Sequence, residues 1–294
     1  MSLIGTMGSG VSALRTFMKG LEVIGDNIAN VNTTGYKSSH AKYADSFSNV
    51  LQRSSPSGAT AGNIPAMSVG TGVTLAGISG NFGQGTLAST GATTDLGISG
   101  AGFFTVKNSV DGSVYATRSG DFRWDDKGFL VNSQGLRVQG AAGAGLGSVG
   151  DIKLATPPSG ASLQSVSIDK LGNVIEFYSN GTSTTTNQVL LQNFNDPGAL
   201  VRAGGNLYTG MAAAGPVGAA SGGAGSAVAL SVTANAPGAN GLGSIQSGTL
   251  ELSNVDLTEQ FADLITTQRS FQAGSRLMTI SDSVLEDIVN LKQR

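Results

Sequence analysis

The sequence predicts a mainly β central domain with N- and C-terminal α-helices that pair as a coiled coil. Three observations carry that reading. Apolar residues near both ends recur at steps of four and three, the spacing of a coiled-coil seam. Between the ends the period falls to two, and Gly, Asn, Asp and Ser punctuate short apolar runs. Charge is also sparse. Asp, Glu, Lys and Arg make up 12% of the 294 residues, while glycine alone counts 44, respectively about half and about twice the usual shares.

At the N-terminus Met7, Val11, Leu14, Met18, Leu21, Gly25 and Ile28 alternate at four and three, with Arg15, Lys19, Glu22 and Asp26 off the seam. Gly20 and Gly25 each weaken a helix by about 1 kcal/mol relative to Ala, so this one is expected to be marginal alone. Asn30, Asn32 and Gly35 tolerate the left-handed conformation that ends helices.

The C-terminal pattern is longer. Leu257, Phe261, Leu264, Gln268, Phe271, Ser275, Met278, Asp282, Leu285 and Val289 keep the same alternation, and Ile265, Ile280, Val284, Ile288 and Leu291 widen the stripe. Asn254 or Asp256 is the expected N-cap, and Lys292 and Arg294 suit the negative end of the dipole. From Val255 to Leu291 such a helix is about 55 Å long. That is too long for a small domain to cover, so its leftover apolar edge calls for other subunits. The seam alone leaves open an ordinary intramolecular helix pair, or a helix lying on the central domain.

The middle reads as hairpins. Val73–Ile78, Gly102–Val106, Val114–Thr117, Phe129–Val131, Val166–Ile168, Val174–Tyr178 and Val189–Phe194 are strand-sized, and turn pairs such as Asp111-Gly112 and Asn180-Gly181 separate several of them. Phe103, Phe104, Phe122, Trp124 and Phe129 are the expected core. Arg53–Ser68 and Ala212–Gly248 lack periodicity and read as extended or flexible connectors. The expected organisation is therefore residues 1–35 as N-terminal helix and motif and 36–68 as connector. Residues 69–250 form the all-β domain, with the Gly/Ala/Ser-rich segment 212–248 inside it, and 251–294 the C-terminal helix.

Little points to chemistry. With no cysteine there is no disulfide, thiolate ligand or thiol nucleophile, and the single histidine is His40. No phosphate-binding glycine loop occurs with the right flanks, and Asp111, Asp121, Asp125 and Asp126 lack the calcium-loop spacing. They read as turn formers. The expectation is no enzyme activity, no catalytic residue, no cofactor and no metal. A net charge of −2 gives no drive toward nucleic acid. Nor is there an apolar span for membrane insertion or the pattern of a cleaved signal peptide.

Three ordered blocks then carry a family signature. Gly25-Asp26-Asn27-Ile28-Ala29-Asn30-Val31-Asn32-Thr33-Thr34-Gly35-Tyr36-Lys37 resembles the N-terminal motif of the bacterial flagellar rod and hook proteins. Ser253-Asn254-Val255-Asp256-Leu257, followed by Gln268-Arg269-Ser270-Phe271-Gln272, is similar to the start of their C-terminal helix. Asp95–Phe104, with Tyr115, Arg118–Phe122, Gly128 and Leu130-Val131, resembles the β domain of the hook and distal-rod members.

The resemblance implies an axial homo-polymer in which the two helices pair inside a tube, with the β domain outside. It implies export from the cell through the flagellar export apparatus without signal cleavage. The partners it implies are rod and hook-junction proteins and a hook cap. Ala44–Phe47, Gly77–Phe82 and Asn193–Leu200 look hook-like, so the expected product is the flexible flagellar hook that passes motor torque to the filament. The alternative is the distal rod of the basal body. From a different class, a secreted β-domain adhesin or binding module remains a rival.

Overall fold

The computed structural model describes residues 2–54, 56, 62–143, 146–218 and 230–292. It is mainly β, with one long helix near each end: α1 (Ser2–Ala29) and α2 (Leu257–Lys292). The chain divides into two compact units. Unit 1 takes residues 1–29, 38–81 and 255–294, and unit 2 takes 30–37 and 82–254.

In unit 1 the helices pack on one another in opposite directions. Asn27 meets Gln260, Gly20 meets Thr267, Ala13 and Leu14 meet Gly274, and Gly10 meets Met278. The first three meeting points fall about seven residues apart and the last about four, but the inward face is rotated from the expected seams. On α1 the buried positions are Gly10, Thr16, Gly20, Ile24 and Asn27, and on α2 they are Gln260, Gly274 and Ser281. Met7, Val11, Leu14, Leu21 and Ile28, like Leu264, Phe271, Met278 and Leu285, are half-buried beside that face. Met18, Leu257, Phe261 and Val289 are exposed, as are the polar seam positions Gln268, Ser275 and Asp282. The physical reason is size. Glycines at 10 and 274 put no side chain between the helices, glycine at 20 leaves room for the Tyr43 hydroxyl and Thr267, and the larger apolar side chains lie mostly at the flanks.

α1 also lies on a two-stranded ribbon. β1 (Ser39–Asp45) pairs antiparallel with β4 (Val73–Gly80), and farther out β2 (Ser48–Gln52) pairs with β3 (Met67–Gly70). Thr16 Oγ1 donates to Val73 O at 3.2 Å, and Phe17 packs edge-on against Tyr43 at 5.8 Å. Much of the expected 36–68 connector is thus strand. Residues 55 and 57–61 of it lie outside the described residues.

Unit 2 is built on an antiparallel sheet. Its main path runs Leu163–Ile168, Asn173–Tyr178, Ser183–Val189, Arg137–Ala142, Phe103–Lys107, Val114–Thr117, Leu207–Thr209, Val201–Gly204. Leu96, Ile98, Phe104, Val106, Phe122, Leu130, Val138, Ile152, Val174, Leu191 and Ile245 fill its largest core, with Trp124 packed at the side. Phe103 belongs to a second cluster with Phe194 and Tyr208, and Phe129 is covered by Arg137, whose guanidinium sits 3.9 Å from the ring centre. The segment expected to be flexible, 212–248, contributes Ala214, Leu230, Leu242 and Ile245 to buried clusters. Its turns bring those few apolar side chains inward, which composition alone does not reveal. Residues 219–229 of it lie outside the described residues.

Candidate functional site

The N-terminal motif splits into two anchors, one in each unit. The first closes α1. Asn27 is buried at the last turn, where its Oδ1 accepts from Ser39 N at 2.9 Å. Its Nδ2 donates to Ser39 O at 2.7 Å and to Gln260 Oε1 at 2.9 Å. One amide thus ties the end of α1 to the start of β1 and to the first turns of α2. Only Asn or Gln offers a donor and an acceptor in this arrangement, and Asn has the shorter reach. Ile28 is half-buried and Ala29, which ends α1, is exposed.

The second anchor lies in unit 2. Asn30 and Thr33 close a turn, with Thr33 N donating to Asn30 O at 3.1 Å. Gly35 follows at φ +69°, and its N–H reaches Glu251 O at 2.8 Å. A Cβ there would lie 2.6 Å from Ser119 N, so both the backbone angle and the space demand glycine. Tyr36 is buried under Arg202, whose guanidinium stands 4.8 Å from the ring centre and also donates to Lys37 O.

Lys37 is fully buried. Its Nζ donates to Glu251 Oε1 at 2.7 Å and to Gly83 O at 2.8 Å. Arg118 Nη1 approaches the other carboxylate oxygen at 3.2 Å, and Gly85 N donates to Oε1 at 2.8 Å. Two cations therefore share one carboxylate out of water, leaving a buried excess of one positive charge. Burial pulls the Lys37 ammonium below its ordinary pKa, and the Glu251 carboxylate opposes that pull. Desolvation likewise lowers Arg118, again against Glu251. Arg118 Nε is buried with no partner among the described residues.

The second half of the family signature meets the same place. Asn254 N donates to Tyr36 O at 3.4 Å, and its side chain donates to Gly83 O at 3.1 Å. Ser253 is half-buried beside it. In unit 1, Val255 is half-buried and Asp256 is the cap of α2, its Oδ1 accepting from Thr258 N at 2.8 Å. Gln268 and Arg269 are exposed on the helix. Thus Asn27 belongs to one anchor, and Gly35, Tyr36, Lys37 and Asn254 to the other.

Sequence reading missed Gln260 and Glu251. Gln260 is off the apolar seam, and Glu251 precedes the motif by two residues with nothing local to mark it. None of these groups is arranged for turnover. The carboxylate of Glu251 is already engaged by two cations, and no group of three or more His, Cys, Asp or Glu that could hold a metal ion occurs among the described residues.

Comparison with known proteins gives the geometry its context. A family model described as flagella basal body rod protein matches residues 7–37. The flagellar hook protein FlgE/F/G D1 domain matches 97–176, and the flagellar basal body rod FlgEFG protein C-terminal region matches 246–291. Over 291 residues the chain is 35% identical to the flagellar basal-body rod protein FlgG of Bacillus subtilis (strain 168), covering 99% of this chain and 100% of that protein.

The chain belongs to the flagellar rod and hook protein family.

The hook members align less fully. The flagellar hook protein FlgE of Escherichia coli (strain K12) is 35% identical over 190 residues, covering 64% of this chain and 39% of that protein. The hook protein FlgE of Treponema pallidum (strain Nichols) is 40% identical over 133 residues, covering 45% of this chain and 28% of that protein. The rod and hook family is one of structural axial proteins of the flagellum, not of enzymes. In this chain the Asn27 anchor joins the end of α1 to the start of β1, and the Lys37 anchor holds residues 35–37 against 251–254.

Proposed function

We propose that the chain is a subunit of the straight distal rod of the flagellar basal body, the reading given above as the alternative to the hook. One observation carries it: the alignment with a rod protein runs end to end at matching length, whereas the hook proteins align over 28% and 39% of theirs. The hook remains the second reading, favoured by the 40% identity of its shorter match. Family membership sets the adhesin aside.

The mechanism follows from exposure. Phe261, Ile265, Leu277, Ile280, Val284, Ile288, Val289 and Leu291 on α2 are open to water in the single chain. Covering half of each such side chain is worth about 1 kcal/mol apiece, and in a tube of like subunits they gain it together. Helices whose exposed stripe is covered only in the polymer, pairing there as a coiled coil, keep assembly waiting for a growing end. Export in an unfolded state without a cleaved signal peptide, and contact with neighbouring rod and hook-junction proteins, belong to the same reading. A hook cap belongs to the hook reading alone.

Electron microscopy of concentrated full-length protein tests this, beside a version trimmed of residues 1–35 and 255–294. Straight tubes from the full chain alone are expected. Curved tubes would return the hook reading, and equal assembly by the trimmed chain would refute the role given to the helices.

A further inference from the structure

We propose that unit 2 carries a binding site for a neutral saccharide, in a cleft between the turn at residues 132–136 and the hairpin of Val201–Gly204 with Leu207–Thr209. The site is independent of the choice between rod and hook, since no residue of α1 or α2 lines it.

The cleft has a volume of about 490 Å³ and opens to solvent, within the range of roughly 300–1,000 Å³ typical of small-molecule sites. Its apolar lining is Leu136 and Leu207, both buried members of the largest core, and Tyr115, half-buried against that core. Two polar groups meet this surface. The Gln134 side chain is exposed and lies against Gly205, where a Cβ would come within 1.8 Å of Nε2. Neither the Gln134 amide nor the Tyr115 hydroxyl has a hydrogen-bond partner among the described residues.

The frame around these groups is fixed before any ligand arrives. Asn132 Oδ1 accepts from Gln134 N at 3.0 Å and from Leu136 N at 2.8 Å, which sets the turn. Across the cleft Gly204, Gly205 and Asn206 follow one another at φ +89°, +57° and +59°. Thr117 Oγ1 donates to Asn206 O at 2.8 Å, and the Asn206 side chain donates to Thr34 O at 2.7 Å. Asn108, also in the lining, is engaged in its own turn: its Oδ1 accepts from Val110 N at 2.9 Å and its Nδ2 donates to Asp111 Oδ2 at 3.2 Å.

Chemistry selects the ligand. No Lys, Arg, His, Asp or Glu lines the cleft, so nothing there matches a phosphate, a carboxylate or an ammonium group. Asp111, joined to Asn108, further disfavours anions. A primary amide and a phenol hydroxyl each donate and accept, as sugar hydroxyls do. The C–H face of a pyranose ring is apolar, and its slightly positive hydrogens suit aliphatic side chains and the negative face of an aromatic ring. A purely apolar ligand would cover the amide and the phenol and leave them unpaired, at a cost. A saccharide satisfies both kinds of surface at once.

Saturation-transfer difference NMR on the full-length chain tests the site. The probes are the trimers of N-acetylglucosamine and of glucose, beside the trimer of galacturonic acid as an acidic control. At least one neutral trimer is expected to bind with a dissociation constant of about 1 mM, and the acidic trimer is not. Gln134→Ala is expected to weaken binding about tenfold, and Tyr115→Phe, which removes only the hydroxyl, about threefold. Circular dichroism should be unchanged in both variants, because neither lost group holds another part of the fold. Three results would overturn the proposal: no transfer to either neutral trimer at about 10 mM, equal binding of the acidic trimer, or affinity unchanged in both variants.

Discussion

The two anchors stand ten residues apart in sequence yet use opposite chemistry. Around Asn27 the contacts are neutral, small and repeated. One amide bridges two backbone groups and a glutamine, and glycines let two helices touch. Around Lys37 they are charged, dry and singular, with one carboxylate holding two cations while glycines admit backbone that no side chain would allow. In unit 1 the close approaches are to side-chain ends or leave slack: a Cβ at Gly274 would meet Leu14 at an ordinary 3.5 Å, and one at Gly20 would lie 2.1 Å from the tip of Tyr43. Unit 2 has none at its closest points, since a Cβ at Gly120 would lie 1.7 Å from Leu96 O and one at Gly140 2.2 Å from Gln188 O. Helices that exchange solvent for neighbours benefit from tolerance, whereas a finished domain benefits from rigidity.

The largest effect that separates the anchors is expected at Glu251. Glu251→Gln leaves Lys37 and Arg118 buried without a counter-charge and should cost about 3–5 kcal/mol. Lys37→Met leaves a balanced Arg118–Glu251 pair and should cost only about 1–3 kcal/mol through lost charge-assisted hydrogen bonds. Urea unfolding followed at Trp124, which lies in unit 2, reads both; equal losses would mean that charge balance is not what holds the hub.

Asn27→Ala strands the Ser39 backbone and the Gln260 amide and is expected to cost about 2 kcal/mol. The loss should show in the helical signal at 222 nm and leave the Trp124 transition in place. If both probes shift together, the two anchors do not act separately.

Gly274→Ala should do the reverse of these, raising helix stability by up to about 1 kcal/mol. Gly35→Ala, placed where φ is positive and backbone is in the way, should lose about 2 kcal/mol. Thermal melts of the pair would test whether glycine means tolerance in one unit and necessity in the other.

The smallest effect is one of pH. Burial pushes the Asp151 carboxyl up, but hydrogen bonds from Gln139 and Arg137 outweigh it, and its pKa sits below the ordinary value. A carboxyl depressed in the fold stabilises fully above its unfolded pKa of about 3.9, and the contribution is lost as pH falls through the folded value. Asp151→Asn should therefore lower stability at neutral pH by a margin that shrinks below about pH 4, as acid titration of the Trp124 transition would show.

The sequence carried the two helices, the β middle and most of the aromatic core, because each is a local periodic pattern. The face on which the helices meet was not legible. Seam reading counts apolar residues, and of the seam only Leu14 and Met278 join Gly10, Ala13, Gly20, Thr267 and Gly274 at the closest points. Nor was the hub legible, even though Lys37 stood in a recognised motif. Its partner Glu251 has no local signature, and nothing in a single sequence ties one charged residue to another across most of the chain. Residues 230–248 misled for a related reason. Leu242 and Ile245 are a small apolar content among Gly, Ala and Ser, yet turns deliver both to the core.

The Lys37–Glu251 contact joins residues separated by 214 positions. Closing a loop of that length carries an entropic cost that grows only slowly with length, but it imposes an order in time. A chain that emerges amino end first holds Lys37 from the beginning and cannot bury it until the last strand before α2 has arrived. Until then the ammonium, the guanidinium of Arg118 and the N–H of Gly35 lack the Glu251 groups they close on. The hub thus records that the chain has emerged as far as residue 251, and unit 2 reaches its final packing only when the segment that leads into α2 is present as well.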